Sequence, residues 1–566
     1  MWNEIINNKT LKEFNEKLSY FHDSCIKEIH YLSGAYVDER LDMYPINDCR
    51  ILRVIIQCQN EKESMIEMEF QDLKYLKLFP TDPHYTCEIL DSTILLKDDS
   101  IIWCDCANGK DIKAENDAKV LICAAKLRWR SISGCMGNKE FFKYVIPTII
   151  SFTLTGIYSI VDGFFVGNSI GDIGLSSINI AYPISALIQA LGIGIGMGGS
   201  VRYSIEKAEN NNEKAKAFIG GTMQLLAIVS LLCTILLYVF SEPLLRLLGA
   251  EGEVLTQGKT YIDVIVLGSF LQIFSTAFIP LIRNLGGAYF STITMILGFT
   301  SNIVFDYIFI WQMNLGTFGA GLATVFGQAI ALVVGLMYLI KKKGITFKTY
   351  GNKALNIWKP IIKIGVAPFG LDLSPNFSLI LINRFSVFYG GEEAIASYAC
   401  ISYVIVIVYL ILQGVGDGSQ PLISKYYGEG KTQDLKYIQK IALIFALFLS
   451  ALGILTLYMV RFDVGKLLCA SDFVVHYTGE VFPIFLIAIP FIGINRIITA
   501  GFYASEKSIY SYILTYIEPI LMLIFLLVLP PFFGGQIMVW WSISLARILS
   551  AVLAVVLKKC DKSVVA

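Results

Sequence analysis

Two aspartates stand inside apolar runs long enough to cross a bilayer: Asp162 in GIYSIVDGFFVGNSIGD and Asp306 in TMILGFTSNIVFDYIFIW. A carboxylate at the centre of a membrane helix costs roughly 2.5–3.5 kcal/mol, so each needs something that offsets the cost. Asn302 lies four residues before Asp306, one turn away on the same helix face. Thr324, in GAGLATVFGQ, comes from the next apolar segment. Two carboxylates and neutral oxygens in a low-dielectric pocket have few stable states. They share a proton, because like charges oppose double ionisation, or they enclose a small hard cation such as Na+. Either state neutralises the site, and loss of the cation exposes charge that a cationic substrate or water must compensate. That is an ion-coupled switch. The blander alternative is polar glue between helices, which Asn and Thr often supply; two aspartates at one depth favour function.

The elements that must position these groups are membrane helices. The chain has 566 residues, 55% hydrophobic and only 16% charged, with mean hydropathy +0.60, the profile of a polytopic membrane protein. A formal net charge of +0 gives no footing for nucleic acid. Twelve apolar segments follow one another at 141–167, 175–199, 217–240, 261–285, 292–311, 319–340, 361–389, 395–423, 441–460, 481–500, 510–529 and 537–557. The expected fold is an all-α polytopic membrane protein with two six-helix lobes, 136–345 and 346–566, behind a small α+β soluble domain at 1–135. Lys207, Lys214, Lys216, Lys341, Lys342, Lys343, Lys425, Lys431, Lys558 and Lys559 fall on one set of loops, while NSIGD, QMNLGT, GGEE and PPFFGGQ carry no positive charge. Positive-inside bias puts the basic loops and both termini in the cytosol. In that topology, at ~1.5 Å per residue, Asp162 and Asp306 lie roughly 8 Å below the outer helix ends, with Thr324 at a similar depth.

The halves echo each other. FIPLIRNLGGAYF (278–290) parallels FIGINRIITAGFY (491–503), pairing Arg283 with Arg496, and GIGIG (192–196) parallels GVGDG (414–418). Six helices per half make this a parallel pseudo-two-fold repeat, with substrate expected between the lobes. The second half has its own expensive groups. Asp372 and Asn376 sit four apart in GVAPFGLDLSPNF, where Pro368 and Pro375 are expected to break the helix, and Glu518 lies in YIEPIL. Facing a central cavity they would attract a cationic substrate; paired with Arg384 or Arg496 they would be structural. Asp417, near a cytosolic helix end, is expected to be solvated. An aromatic content of 13% suits flat cations, although interface belts account for most of it.

The head has helical periodicity over LKEFNEKLSYFHDSCIKEIHYL, which sets His22, Cys25 and His30 on one face. A metal would accept that spacing, but unliganded residues are the expected reading. CRILRVIIQCQ, SMIEMEF and YTCEILDSTILLKDDSIIWCDC read as strands, the last a hairpin turning at Lys97-Asp98-Asp99, and KLRWRSISG reads as the linker to the membrane part. Met136 would serve as an ordinary start for the membrane part. The opening residues lack a signal-peptide pattern. The cysteines before residue 136 show no CxxC pair and are expected as thiols in a reducing cytosol.

IVDGFFVGNSIGD, NIVFDYIFI with GTFGAGLAT, and QGVGDGSQPLISKYYGEGK together resemble the MATE (multidrug and toxic compound extrusion) transporters, bacterial branches above all, over residues 137–560. The resemblance implies a twelve-helix antiporter, monomeric and without a cofactor, that exports organic cations or other amphiphiles from the bacterial cytoplasmic membrane against Na+ or H+. The family's N-lobe cation site falls on Asp162, Asn302, Asp306 and Thr324; the head lies outside the family pattern. A lipid-linked oligosaccharide flippase is the alternative, for which an arginine-lined cavity is expected. An ATP-driven pump is disfavoured because the GKT triplets at 258–260 and 430–432 have Glu253 and Lys425 where a phosphate loop needs glycine. An enzyme is disfavoured because HExxH and GxSxG are missing from the spans.

Overall fold

The computed structural model describes residues 2–37, 42–58, 65–80, 87–97, 99–106, 118–131, 136–342, 354–467 and 472–561. Asp98 of the expected turn, Lys343 of a basic loop and Cys135 lie outside them. The chain forms two compact units, Met1–Lys139 and Glu140–Ala566.

In the first unit an antiparallel sheet runs in the order β7 (Glu88–Ile89), β2 (Ser24–Leu32), β5 (Ile51–Cys58), β6 (Met65–Leu78), β10 (Val120–Ser131), β9 (Ser100–Cys104), β8 (Thr93–Lys97), with β1 (Asn3–Ile5) also on β10, while β3 (Tyr36–Val37) and β4 (Met43–Tyr44) pair with each other. Helix α1 covers only Asn8–Lys17, opened by an Asn7 capping box. The expected helix does not continue. Tyr20, Phe21 and Asp23 take positive φ, which ends it, and residues 24–32 pair with β5 instead. His22, Cys25 and His30 therefore share no helical face, and among the described residues no group of His, Cys, Asp and Glu fits a metal. Of the supposed linker, residues 126–131 are also strand, and residues 132–134 lie outside the described residues. Leu127 and Trp129 are buried in the core with Phe14, Met68 and Phe70, while Arg128 and Arg130 point to the other face and meet Glu69 and Glu67. Period-2 alternation sat inside a stretch whose arginines suggested solvent.

In the second unit, span 1 (Asn138–Gly171), span 2 (Ile173–Ala208), span 3 (Asn212–Leu247), span 5 (Ala288–Gln312) and span 6 (Gly316–Lys341) are long apolar helices, as are span 7 (Ala354–Gly391), span 8 (Glu393–Gly428), span 9 (Thr432–Met459), span 11 (Ser508–Phe533) and span 12 (Gln536–Cys560). Spans 4 and 10 are bent pairs: Gly252–Leu267 with Ser269–Asn284 at 60°, and Asp472–Leu486 with Ile489–Ala504 at 41°. Gly268 sits at the first bend, where a Cβ would stand 2.4 Å from the Val325 side chain. Span 7 runs unbroken through Pro368 and Pro375; the non-helical residue of the Ala354–Gly428 stretch is Gly391.

Backbone landmarks fix how the halves correspond. Gly171 and Gly391 (φ 77 and 66) break the first hairpin of each half. Asn210 and Gly430 (φ 65 and 68), then Gly286 and Glu506 (φ 87 and 61), occupy the left-handed position of matching turns. The bends fall at Gly268 and Ala488. Every pair is separated by 220 positions, as 171 to 391 or 286 to 506. This corrects the pairing drawn from sequence: Arg283 corresponds to Tyr503, not Arg496, and GVGDG (414–418) corresponds to GIGMG (194–198), not to 192–196. Packing agrees. Cβ atoms at Gly194 and Gly198 would lie 2.9 and 2.1 Å from carbonyl oxygens of Gly365 and Ile361 on span 7, and Cβ atoms at Gly414 and Gly418 would lie 2.8 Å from the Ile149 and Val145 Cα atoms on span 1. A glycine motif of period two tolerates a slip in sequence; backbone contact does not.

Candidate functional site

Asp306 is the last α-helical residue of span 5 before Tyr307–Gln312 widens into a π-helix, a distortion common at functional sites. It is fully buried, and Asn302, one turn earlier, is 3% exposed. Asn302 packs against span 6 so closely that a Cβ at Gly327 would stand 2.8 Å from its own Cβ. Asp162 of span 1 is half-buried, and its carboxyl neighbours that of Asp306. Thr324 donates to the Ala320 carbonyl at 3.0 Å and neighbours Tyr261. The four residues selected from sequence thus meet in one lobe, on spans 1, 5 and 6.

Three tyrosines that sequence reasoning passed over complete the surroundings. Tyr158 stacks on Phe299 at 4.9 Å and neighbours Asp162, Asp306 and Tyr261. It stands four residues before Asp162, the same spacing that picked out Asn302. Tyr182 of span 2 is 52% exposed yet neighbours both Asp162 and Asp372, one from each lobe, so its ring stands in the cleft between them.

The acids are not demanded by the fold. At the corresponding positions of the second lobe stand Ile382, Met522 and Leu526, at most 1% exposed. The same helices pack there through apolar side chains. In the first lobe both side-chain polar atoms of Asn302 and both carboxyl oxygens of Asp306 are buried without a hydrogen-bond partner. Buried polar atoms are seldom left so, and an oxygen-rich pocket of net negative charge fits a proton or a hard monovalent cation.

Of the second-lobe candidates, Glu518 pairs with neither Arg384 nor Arg496 but with Arg547 of span 12, at 3.3 Å. Arg547 also lies over the Tyr409 ring at 4.7 Å. Gly298 and Gly327 hold these positions in the first lobe, where a Cβ on Gly327 would come 2.9 Å from the Gly298 carbonyl oxygen. One lobe thus closes the contact with glycines and the other with an ion pair. Asp372, half-buried on span 7, lies near Arg496, whose Nη1 donates to the Leu371 carbonyl at 3.2 Å. Asn376 is one turn further on, also half-buried. Asp417 is not a solvated end group: Tyr503 donates to its Oδ1 at 3.0 Å, and Arg283 of the other lobe donates to its backbone carbonyl at 3.1 Å.

The hydrogen bonds that join the lobes lie toward the end carrying the basic loops. Arg202 bonds Glu506, Lys425 and Tyr426 meet Glu140 at 3.1 and 3.2 Å, and Asn284 bonds Gln420 at 2.9 Å. Toward the other end contact fades. A Cβ at Gly156 would touch Leu410 of span 8 at 3.1 Å, whereas one at Gly163 would meet nothing within 4 Å. The lobes are closed at the basic end and parted at the other.

The MatE family model matches residues 147–308 and 373–528. The chain belongs to the MatE family. Multidrug export protein MepA of Staphylococcus saprophyticus is 24% identical over 427 residues, spanning 74% of this chain and 93% of that one; MepA of Staphylococcus aureus strain NCTC 8325 is 24% identical over 435 residues with the same coverage. Among solved structures, a MOP-superfamily transporter from Pyrococcus furiosus, reported with a binding pocket of reverse polarity, superposes with TM-score 0.70 at 21% identity. So does a multidrug-resistance MATE transporter in an outward-facing conformation; each covers 75% of this chain and 96% of the other. MatE membership accounts for the two-lobed membrane unit; the matched segments leave the head untouched.

Proposed function

We propose that this chain is a secondary active exporter of cationic or amphiphilic small molecules, driven by entry of Na+ or H+ at Asp162, Asn302, Asp306 and Thr324, and is not an enzyme. The observation that carries the reading is a fully buried Asp306, its carboxyl oxygens and the Asn302 amide unsatisfied, next to a half-buried Asp162, at positions where the other lobe has Leu526, Met522 and Ile382. Among the described residues neither aspartate forms an ion pair with lysine or arginine, so a mobile cation is the counter-charge of choice. Drug export by the MepA relatives supports the substrate class. The basic loops support cytosolic termini in a bacterial cytoplasmic membrane, which makes the closed end cytosolic and the parted end outward. The flippase alternative gains little. Arg547 is matched to Glu518, and Arg283 and Arg496 lie beside Asp417 and Asp372, leaving the cleft without an arginine surplus.

The test is efflux of a cationic dye from proteoliposomes under Na+ or H+ gradients. Asp162→Asn and Asp306→Asn are expected to fall to the protein-free rate. Asp306→Leu, which installs the other lobe's residue, is expected to abolish efflux while raising thermal stability by about 1–3 kcal/mol through loss of a buried polar group. Unimpaired efflux by Asp306→Leu would remove the cage from the mechanism.

A further inference from the structure

Asp417 breaks the repeat. Its counterpart is Met197, 2% exposed, so span 8 had an apolar solution available and carries a carboxylate instead. The group is built into a junction between lobes. Tyr503 holds its Oδ1 at 3.0 Å, and Gln413 one turn earlier, Arg283 and Arg496 all lie near. Arg283 is the member from the opposite lobe. It is 2% exposed, its Nη1 reaches the Asp417 carbonyl at 3.1 Å, and its Nε is buried without a partner. A buried guanidinium needs a counter-charge, and Asp417 is the acid it neighbours. Asp417 itself is only half-buried, and its carboxyl, bonded by Tyr503 of its own lobe, lies near Arg283 of the other.

Any motion that parts the lobes at the basic end must pull Arg283 off Asp417, because the two ride on different lobes. Separation leaves a carboxylate still held by Tyr503, with its cross-lobe cation gone and Arg496 of its own lobe shared with Asp372. We infer that Asp417 is a second cation-binding carboxylate, and that Arg283 is its tethered counter-ion, exchanged for a mobile monovalent cation when the basic end opens. The cation is either the organic substrate or the coupling ion; both present one positive charge to the same oxygens. The inference rests on alternating access of the lobes but not on the cage near Asp162. It gives the two ends different carboxylates: Asp162 and Asp306 toward the parted end, Asp417 toward the closed one.

Binding of ethidium to the purified full-length chain in nanodiscs, read by fluorescence polarisation, tests this. Arg283→Gln removes the tethered competitor and is expected to tighten ethidium about tenfold, the scale of one charged hydrogen bond. Arg283→Gln with Asp417→Asn is expected to return to the wild-type value. Arg283→Lys, a poorer but charged competitor, is expected to tighten by about twofold and serves if the glutamine variant does not fold. Arg283→Gln with Asp306→Asn should keep the gain, which separates this site from the cage. Added NaCl that weakens ethidium in Arg283→Gln assigns the position to Na+ as well, and an unchanged affinity assigns it to the organic cation. No tightening in either arginine variant, or a gain that survives Asp417→Asn, overturns the inference.

Discussion

Glu69 and Asp306 are both fully buried carboxylates, and their partners set them apart. Burial alone would push Glu69 upward, but hydrogen bonds from Gln71, Arg53 and Arg128 outweigh it and hold its carboxyl below the ordinary glutamate range. Arg53 Nε and Arg128 Nε reach it at 2.9 and 2.7 Å across neighbouring strands. A folded-state value below the unfolded one contributes stability above the unfolded value, lost as pH falls through the folded one. The central strands β5, β6 and β10 are therefore expected to lose hydrogen-exchange protection as pH drops below about 4.5, the ordinary glutamate value. Glu69→Gln, compared at each pH, should be less protected at neutral pH and show no such acid-dependent loss. Equal pH profiles for the two chains would refute this. Asp306 has no comparable basic partner among the described residues, the contrast on which its proposed role in cation exchange rests.

At the scale of elements, glycines decide where the lobes touch. Gly198 of span 2 and Gly418 of span 8 press on the backbone of the opposite lobe's first helix. Gly198→Val would place a Cβ 2.1 Å from the Ile361 carbonyl oxygen, a backbone atom that cannot swing aside. The spans must separate by an ångström or more. Spin labels at Lys207 and Lys431, near the basic ends of spans 2 and 8, should report a longer distance, with efflux reduced at least tenfold. An unchanged distance would mean that the seam lies elsewhere.

At the scale of the molecule, the two halves are alike in turn geometry and unlike in charge. Gly286 and Glu506 occupy the same left-handed turn position. Glycine is at ease there, whereas glutamate carries about 1 kcal/mol of strain. Glu506 is the residue that bonds Arg202 of the other lobe, and Arg202 is held in turn by Glu206 and the Phe218 ring. The strain is tolerated where it supplies a cross-lobe contact. Glu506→Gly should relax the turn yet weaken closure of the basic end by about 1–2 kcal/mol, a five- to thirtyfold shift in population. Cysteine accessibility at Ser419 from the basic side should rise accordingly while thermal stability holds. A fall in stability without greater accessibility would make the contact purely structural.

The apolar helices, the basic loops and the convergence of Asp162, Asn302 and Asp306 in one lobe were legible in the linear chain because a bilayer makes apolar length and misplaced charge conspicuous. Asp162 and Asp306 betray themselves by cost alone. Backbone turns and partners were not legible. Arg283 was matched to Arg496 because residue types suggested it, and the true register of 220 appears only in positive-φ turns and glycine contacts. Arg547 as the mate of Glu518, Arg283 beside Asp417, and the strand formed by LRWRS depend on which faces meet after folding. One-dimensional sequence records what each residue costs in its medium; which residue meets that cost is a matter of three-dimensional neighbours, and only the tertiary structure supplies them.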